Sequence, residues 1–262
     1  MSAMARPIRI AAAGDIHCGE QNRDALERSF ARVENEVDLV LLAGDLTTVG
    51  EPEQAAILAD ICRPLDVRVA AVLGNHDWHA NRVDEVVPLL EDADVTLLDK
   101  SWMTCEVDGA RVGVVGTKGF IGGFPDSQLP DFGEPSLRHV YAETSAEVEA
   151  IDRGLGATHD CDYRIVLLHY SPTTTTLEGE PRVIWAFLGT DRLAPPIAEH
   201  RPDVVLHGHG HRGRFDGFIG DVPVYNVAVQ VMKRDFFVFE LEDGALRPIE
   251  PAPHAVRAPG QS

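Results

Sequence analysis

The chain reads IRIAAAGDIH over residues 8–17, an apolar run that ends abruptly in polar residues. The same pattern returns as DLVLLAGD at residues 38–45 and as VRVAAVLGNHD at residues 67–77. Each run predicts a strand: Ile8–Ala13, Asp38–Ala43 and Val67–Leu73. The segments between and after them are amphipathic and predict helices: Asp24–Glu36, Glu53–Cys62 and Val83–Glu91. Continuous apolar runs that alternate with amphipathic segments are typical of βαβ units, whose parallel sheet is buried on both faces.

The second half of the chain begins with strands of a different kind. Asp108-Gly109 lies between two runs with strand character, Trp102–Val107 and Arg111–Val115, and predicts a hairpin. Gly116–Val140 is rich in Gly and Pro, so we predict an irregular segment, which is typical of a functional or mobile loop. Helices are predicted at Tyr141–Leu155 and Asp191–His200, and strands at Arg164–Leu168, Asp203–Leu206, Gly213–Ile219, Pro223–Val227 and Phe236–Leu241, the last three alternating as antiparallel strands.

Two βα-rich halves on either side of a hairpin predict a single α/β domain, a two-sheet β-sandwich flanked by helices. We predict that this domain occupies residues 1–248. The remaining residues, 249–262, are rich in Pro and Ala and are predicted to form a disordered tail.

The composition excludes several classes of protein. The chain has 262 residues, 44% apolar and 25% charged, which is ordinary for a globular protein. A formal net charge of −19 excludes a generally basic surface, so we expect no broad nucleic-acid or anionic-membrane binding. The chain contains no run of about 18 apolar residues, so we predict no membrane span. The four cysteines show no C-x-x-C pattern, and the N-terminal apolar run is too short for a secretory signal. Both features predict a cytoplasmic, reducing location.

Five polar clusters directly follow apolar runs, and all contain residue types that bind metals. They read D-x-H at Asp15, G-D at Asp45, G-N-H-D at Asn75, a single His169, and G-H-x-H at His209. Because ligands collect beyond the carboxyl ends of strands in an α/β sheet, we expect the clusters to converge. The candidate ligands are Asp15, His17, Asp45, Asn75, His169, His209 and His211. Such nitrogen and oxygen donors suit Mn²⁺, Fe²⁺/³⁺, Zn²⁺ or Co²⁺ better than Ca²⁺, and their number fits two metals that share a carboxylate.

This ordered set of motifs resembles the signature of the calcineurin-like metallophosphoesterase superfamily, over residues 8–240. The resemblance implies a four-layer αββα metallophosphoesterase-like fold and hydrolysis of a phosphoester bond by a hydroxide that bridges two metal ions. One metal would be held by Asp15, His17 and His211 and the other by Asn75, His169 and His209, with Asp45 bridging them. His76 would approach the substrate phosphate as the catalytic histidine, oriented by Asp77.

In length and motif spacing the chain is similar to bacterial class III cyclic-nucleotide phosphodiesterases. We therefore expect a small phosphodiester or nucleotide as the substrate. One alternative is a phosphomonoesterase or phosphoprotein phosphatase, although the phosphatases carry an arginine shortly after G-D that Leu46–Val49 lacks. The other is a non-catalytic interaction scaffold, although the scaffold branch of the superfamily has lost key catalytic residues that this chain keeps.

Several residues near the motifs have two interpretations. His207 lies two positions before His209, and we expect a structural role because the family pattern uses only the last two histidines. His79 is close enough to His76 in sequence to reach a substrate, but we favour a loop histidine. Trp185 and Phe187 form a nucleobase-stacking wall or pack a helix, and we favour packing. Specificity is expected to depend on the loops at residues 116–140 and 171–182.

Overall fold

The apolar runs pair into two sheets of six strands each. The computed structural model describes residues 7–242 and 245–249. The strands are β1 (Ile8–Ala13), β2 (Leu39–Ala43), β3 (Arg68–Val72), β4 (Val95–Leu97), β5 (Ser101–Val107), β6 (Ala110–Gly116), β7 (Tyr163–Leu167), β8 (Val204–His207), β9 (Asp216–Ile219), β10 (Val222–Asn226), β11 (Phe237–Glu242) and β12 (Ala245–Pro248). The helices are α1 (Arg23–Val33), α2 (Pro52–Cys62), α3 (Val83–Glu91), α4 (Pro135–Ala157), α5 (Trp185–Leu188), α6 (Ala194–His200) and α7 (Val229–Met232). Short 3₁₀ turns lie at His76–Trp78, Thr175–Leu177, Arg182–Ile184 and Asp191–Leu193.

The first sheet has the strand order β12-β11-β1-β2-β3-β4. Its strands β1 to β4 are parallel, and β11 pairs antiparallel with β1. Ala13 at the end of β1 pairs with Leu42, and Ala43 at the end of β2 pairs with Val72 at the end of β3. This register brings the carboxyl ends of the three strands level, so the loops that follow them start at one edge.

The second sheet has the order β5-β6-β7-β8-β10-β9. Strands β6, β7, β8 and β10 are parallel, and the two edge strands β5 and β9 are antiparallel to their neighbours. Successive residues of β7 face two different cores. Ile165 and Leu167 belong to the core that the two sheets share, whereas Val166 packs with Ile151 of α4 and Ile197 of α6.

The helices cover the outer faces of the two sheets. Phe30 of α1, Leu58 of α2 and Leu90 of α3 are fully buried in the larger apolar core, and α4 and α6 close the other side. The predicted α/β sandwich of two sheets flanked by helices is therefore confirmed.

Most predicted element bounds agree with the structure to within a few residues. β1 and α3 begin and end where we expected, and β5 and β6 form the predicted hairpin. Asp108 and Gly109 both have positive φ, 49° and 82°, which is the backbone that a tight two-residue hairpin turn favours.

The structure differs from the predictions at several places. α4 begins at Pro135, inside the segment predicted to be irregular. Its first turns are exposed and carry no apolar periodicity, so the sequence pattern did not indicate a helix there. Proline is nevertheless favoured in the first turn of a helix. The last three predicted strands do not form one antiparallel group, since β10 also pairs parallel with β8, and β11 joins the first sheet. β4 was not predicted because three residues are too few to show a pattern. The predicted tail beyond Ile249 lies outside the described residues, and the domain boundary stays a prediction.

Candidate metal centre

Five loops that leave the carboxyl ends of strands meet at one edge of the two sheets. Asp15 follows β1, Asp45 follows β2 and Asn75 follows β3, while His169 follows β7 and His209 follows β8 in the second sheet. The chain turns sharply at these points, with φ of 59° at Asp15, 49° at Asp45 and 68° at His209. A left-handed backbone at a non-glycine residue costs of order 1–3 kcal/mol, and such strain is concentrated at functional sites.

All seven predicted ligands and His76 come together at this edge. Carboxylate and imidazole atoms lie within 4.8 Å of one another in three overlapping sets. The sets are Asp15 with Asp45, His169 and His209; Asp15 with His17 and His211; and His17 with Asp45 and His76. Oδ1 of Asn75 lies 2.9 Å from Nε2 of His169 and so adds an amide oxygen to the first set. Asp45 belongs to two sets, which suits a shared ligand; Asp15 also belongs to two, although the resemblance implies one metal for it.

Asp45 tests whether these residues fit a cation. Its side chain is buried, its Oδ1 accepts a hydrogen bond from the backbone N–H of His76 at 2.8 Å, and its Oδ2 has no hydrogen-bond partner among the described atoms. Oδ2 lies 3.9 Å from Nε2 of His17 and 3.9 Å from Nε2 of His76. A buried carboxylate oxygen without a partner costs free energy, and a cation bound to it removes that cost. The residues therefore fit a metal ion.

Burial keeps two of the imidazoles neutral, which is the form that binds metal. It lowers the pKa of His17, and it lowers the pKa of His209 to about 3. His211 differs, because its hydrogen bond to Asp15, 2.8 Å from Nε2 to Oδ1, raises its pKa. Burial by itself raises the pKa of Asp15, but the hydrogen bond from His211 and the charges of His169 and His211 outweigh it and lower that pKa to about 2. The Asp15 carboxylate is therefore ionised.

The structure corrects the predicted role of Asp77. We expected this carboxylate to orient His76, but Nδ1 of His76 lies 2.7 Å from the carbonyl oxygen of Thr48 instead. Asp77 is fully buried and accepts hydrogen bonds from the backbone N–H groups of Leu46, Thr47 and Gly74 and from the hydroxyl of Thr47. The physical reason is the 3₁₀ turn at residues 76–78, in which adjacent side chains point about 120° apart. Asp77 thus joins the loops after β2 and β3, and Thr48 orients His76.

Three neighbouring residues lie close to the ligands without joining the sets. His207 is fully buried and contacts Gly208 O and Thr176 Oγ1, each at 2.8 Å, in agreement with the structural role that we expected. His79 is exposed, and its ring centroid lies 4.3 Å from that of His76. Burial raises the pKa of Cys18 to about 12, and this neighbour of His17 belongs to none of the three sets.

A buried acid near the site was not predicted from the sequence. Glu147 of α4 has a fully buried side chain and binds the loop that follows β6. Its carboxylate accepts hydrogen bonds from the Thr117 hydroxyl and from Gly119 N, and it lies 3.0 Å from Nζ of Lys100. That loop carries the carbonyl of Lys118, which accepts a hydrogen bond from the backbone N–H of His169 at 3.0 Å. Glu147 therefore supports the backbone of a predicted metal ligand.

The sequence does contain a signal for Glu147. The buried residues of α4 are Thr144, Glu147, Ala150, Ile151, Gly154 and Leu155, and their spacing of three or four traces one face of a helix. A glutamate on that apolar face needs a buried partner, because an unpaired buried charge is strongly unfavourable.

Glu147→Ala is expected to lower the free energy of unfolding by about 3 kcal/mol, because breaking a buried ion pair also leaves its hydrogen-bond donors without a partner. Urea unfolding followed by circular dichroism measures the effect. Glu149→Ala is the matched control, since Glu149 lies on the exposed face of α4 and we expect a change within about 0.5 kcal/mol. Equal stabilities of the two variants would show that the Glu147 contacts contribute nothing net.

Comparisons with known proteins agree with this geometry. A model of the family described as calcineurin-like phosphoesterase matches residues 8–213. Phosphopantetheinyl hydrolase of Mycobacterium tuberculosis has a TM-score of 0.64 at 16% identity, over 98% of this chain and 100% of that chain. The protein TT1561 of Thermus thermophilus has a TM-score of 0.61 at 19% identity, over 92% and 98%. GAP50, the anchor in the inner membrane complex of Plasmodium, has a TM-score of 0.57 at 12% identity, over 92% and 82%.

Identities this low show a shared fold alone, and no curated protein matches the sequence significantly. Among the described residues, no helix is long and apolar enough to cross a membrane. The region that the family model matches contains every predicted ligand from Asp15 to His211, and the TM-scores show that the three neighbouring structures share the fold. The chain belongs to the calcineurin-like phosphoesterase family.

Proposed function

We propose that this chain hydrolyses a phosphoester bond with two bound transition-metal ions, and that its substrate is a small phosphodiester or a nucleotide. The observation that carries the proposal is the buried Oδ2 of Asp45, which has no partner among the described atoms, in a residue that belongs to two of the three sets of ligand atoms. One ion would be held by Asp15, His17 and His211 and the other by Asn75, His169 and His209, with Asp45 shared. The nitrogen and oxygen donors favour Mn²⁺, Fe²⁺/³⁺ or Zn²⁺.

His76 would act on the leaving group. When bound, the metal ions would supply Lewis acidity, which offsets the charge of the phosphate. It would also lower the pKa of a water molecule, so that hydroxide is available to attack phosphorus near neutral pH. Nδ1 of His76 donates a hydrogen bond to Thr48 O at 2.7 Å, so Nε2 is the atom that can face a substrate. In the imidazolium form, Nε2–H gives its proton to the ester oxygen as the P–O bond breaks, and the ring becomes neutral. Such general acid catalysis contributes ~10²–10⁴-fold.

The proposed substrate is small because of the charge of the protein. A net charge of −19 opposes the approach of a long polyanion such as DNA, whereas the cations of the site can attract one compact phosphate. The preference for a diester rests on the similarity to class III cyclic-nucleotide phosphodiesterases in length and motif spacing. We also propose that the protein works in the cytoplasm, because its four cysteines, Cys18, Cys62, Cys105 and Cys161, are free thiols.

A panel of phosphoesters tests this function. The protein is assayed with added Mn²⁺, and again after chelation, on cyclic nucleotides, an aryl phosphodiester, an aryl phosphomonoester, nucleoside monophosphates and single-stranded DNA. We expect Mn²⁺-dependent hydrolysis of the diesters that chelation abolishes. Faster hydrolysis of the monoesters would contradict the diester preference and support a phosphomonoesterase or phosphatase.

The scaffold alternative gives a different result in the same experiment. The fold also occurs in GAP50, the anchor in the inner membrane complex of Plasmodium, so an anchoring role has a structural neighbour. A protein that holds no transition metal after purification, and hydrolyses nothing with Mn²⁺, would support a scaffold and rule out the enzyme.

A further inference from the structure

Residues 182–188 lie directly beside the candidate metal centre. The last three carbonyls of this segment each bind a different loop of the site. Ala186 O accepts a hydrogen bond from Gly122 N, Phe187 O lies 3.1 Å from Nε2 of His209, and Leu188 O accepts a hydrogen bond from Ser171 N. These are carbonyls that a helix leaves without partners at its C-terminal end. The segment is therefore fixed against His209.

One face of the segment packs inward. Leu188 is buried in a small apolar cluster with Phe124 and Leu177, and Trp185 packs against that cluster. Nε1 of Trp185 donates a hydrogen bond to Glu180 O at 3.0 Å. The inward face holds the segment in place, as expected for Trp185, and leaves the other face to a different use.

The outward face is apolar and open to solvent. Val183, Ile184 and Phe187 are 84%, 37% and 63% exposed, and they are three of the ten large apolar side chains that are exposed in the described part of the chain. We name these three residues the apolar platform. The expectation that Phe187 packs a helix is wrong, because most of its side chain faces water. A concentration of exposed apolar side chains beside a site indicates a binding surface.

The platform is anchored to the predicted ligand His209 and not to His76. The carbonyl of Phe187 itself contacts the predicted ligand His209, so the Phe187 side chain starts beside the candidate metal centre. No set of ligand atoms within 4.8 Å contains both His76 and His209 among the described residues. Because His76 would face the group that leaves, we assign a group that contacts the platform beside His209 to the ester that stays on the phosphate.

Resting on the proposed function, we propose that the apolar platform binds the ester group that remains on phosphorus, and that this group is apolar and of aromatic size. The substrate class is then a phosphodiester with one aromatic or similarly bulky apolar ester.

Two diesters with the same leaving group test the platform: p-nitrophenyl phenyl phosphate and p-nitrophenyl ethyl phosphate. The readout is the ratio of their kcat/KM values with the Mn²⁺-loaded protein, because a general effect on the metals cancels in a ratio. Phe187→Ala is compared with Phe218→Ala. Phe218 is similarly exposed, at 57%, but it lies away from the site. It pairs with Pro223 near the start of β10. The end of β10 that faces the site is Asn226, whose amide donates a hydrogen bond to Gly210 O between the two histidine ligands.

We expect the wild-type protein to prefer the phenyl diester about tenfold, which corresponds to burial of part of an aromatic ring at ~25 cal/mol per Å². Phe187→Ala should lose most of this preference and Phe218→Ala should keep it. A wild-type ratio near one, or an unchanged ratio in Phe187→Ala, overturns the platform. If the Mn²⁺-loaded protein hydrolyses neither diester, the proposed function fails, and the platform proposal fails with it.

Sedimentation velocity tests whether the platform is instead a contact between two copies of the chain. A wild-type dimer that Phe187→Ala converts to a monomer, with an unchanged ratio of kcat/KM values, would overturn the proposal.

Discussion

Asp45→Asn is expected to abolish metal-dependent hydrolysis while the metal-free protein stays folded. Oδ2 of Asp45 has no hydrogen-bond partner among the described atoms, so an amide nitrogen in its place breaks no hydrogen bond. The asparagine Oδ1 can still accept the hydrogen bond from His76 N. Without the shared negative charge both ions bind more weakly, and because metal catalysis contributes several kcal/mol we expect kcat to fall by about 10³-fold or more.

Metal analysis by mass spectrometry and urea unfolding in a chelator measure the two halves of this prediction. We expect Asp45→Asn to retain less metal than wild type, with a free energy of unfolding that changes by less than about 1 kcal/mol. Full metal content together with wild-type turnover would show that Asp45 is not the shared ligand.

Asp77→Asn is the matched control, because Asp77 is also a buried aspartate of the same site. Its two oxygens accept four hydrogen bonds, so an amide NH₂ in place of one oxygen would face two donors. Each unsatisfied buried donor costs ~1–3 kcal/mol, and we expect a loss of about 2–4 kcal/mol of stability in the metal-free protein. The contrast separates a carboxylate that binds metal from one that joins two loops.

His76→Ala is expected to lower kcat by ~10²–10⁴-fold without changing metal content, because the variant loses a general acid and no ligand. The loss should be largest for esters with alkoxide leaving groups. It should be much smaller for p-nitrophenyl esters, whose leaving group needs no proton. Steady-state kinetics on both kinds of ester, with metal analysis of each protein, measures this difference.

His79→Ala is the control for His76, since the two rings lie side by side and His79 is exposed. We expect a small effect that does not depend on the leaving group. The proximity of His76 to His17 and Asp45 allows another outcome. Loss of metal from His76→Ala, in step with activity, would contradict the assigned role and make His76 a ligand.

Local patterns predicted the fold well where neighbouring residues decide the structure. The alternation of apolar runs and amphipathic segments located β1 and α3 to the residue, and Asp108-Gly109 predicted the hairpin. The start of α4 was missed because helix formation there depends on tertiary contacts of its later turns. The sequence did not predict which sheet β11 joins, because strand pairing is not local. Phe237 and Phe239 of β11 are fully buried and pack around Phe215, between the two sheets.

The same division holds for the site. Asp77 follows His76 directly, and their adjacency in sequence predicted a contact that the geometry of the 3₁₀ turn prevents. Thr48 could not be predicted, because it acts through a carbonyl oxygen that every residue has. Glu147 could have been found from its position on the apolar face of α4, but not its partners.

The chemistry of the ligands is a property of the local sequence. Each polar cluster follows a strand immediately, and parallel strands in register end at one edge, so residues such as Asp15 and His209 meet although 194 positions separate them. Tertiary packing decides what each of those atoms contacts. It leaves Oδ2 of Asp45 without a partner among the described atoms and places Nδ1 of His76 against the carbonyl of Thr48. It also places the carbonyl of Phe187 against His209 while the Phe187 side chain stays exposed. The physical reason is the distance along the sequence over which each property is decided. Residue type and the order of the strands follow from the local sequence, whereas hydrogen-bond partners and exposure depend on elements far apart in sequence that meet only when the sheets pack.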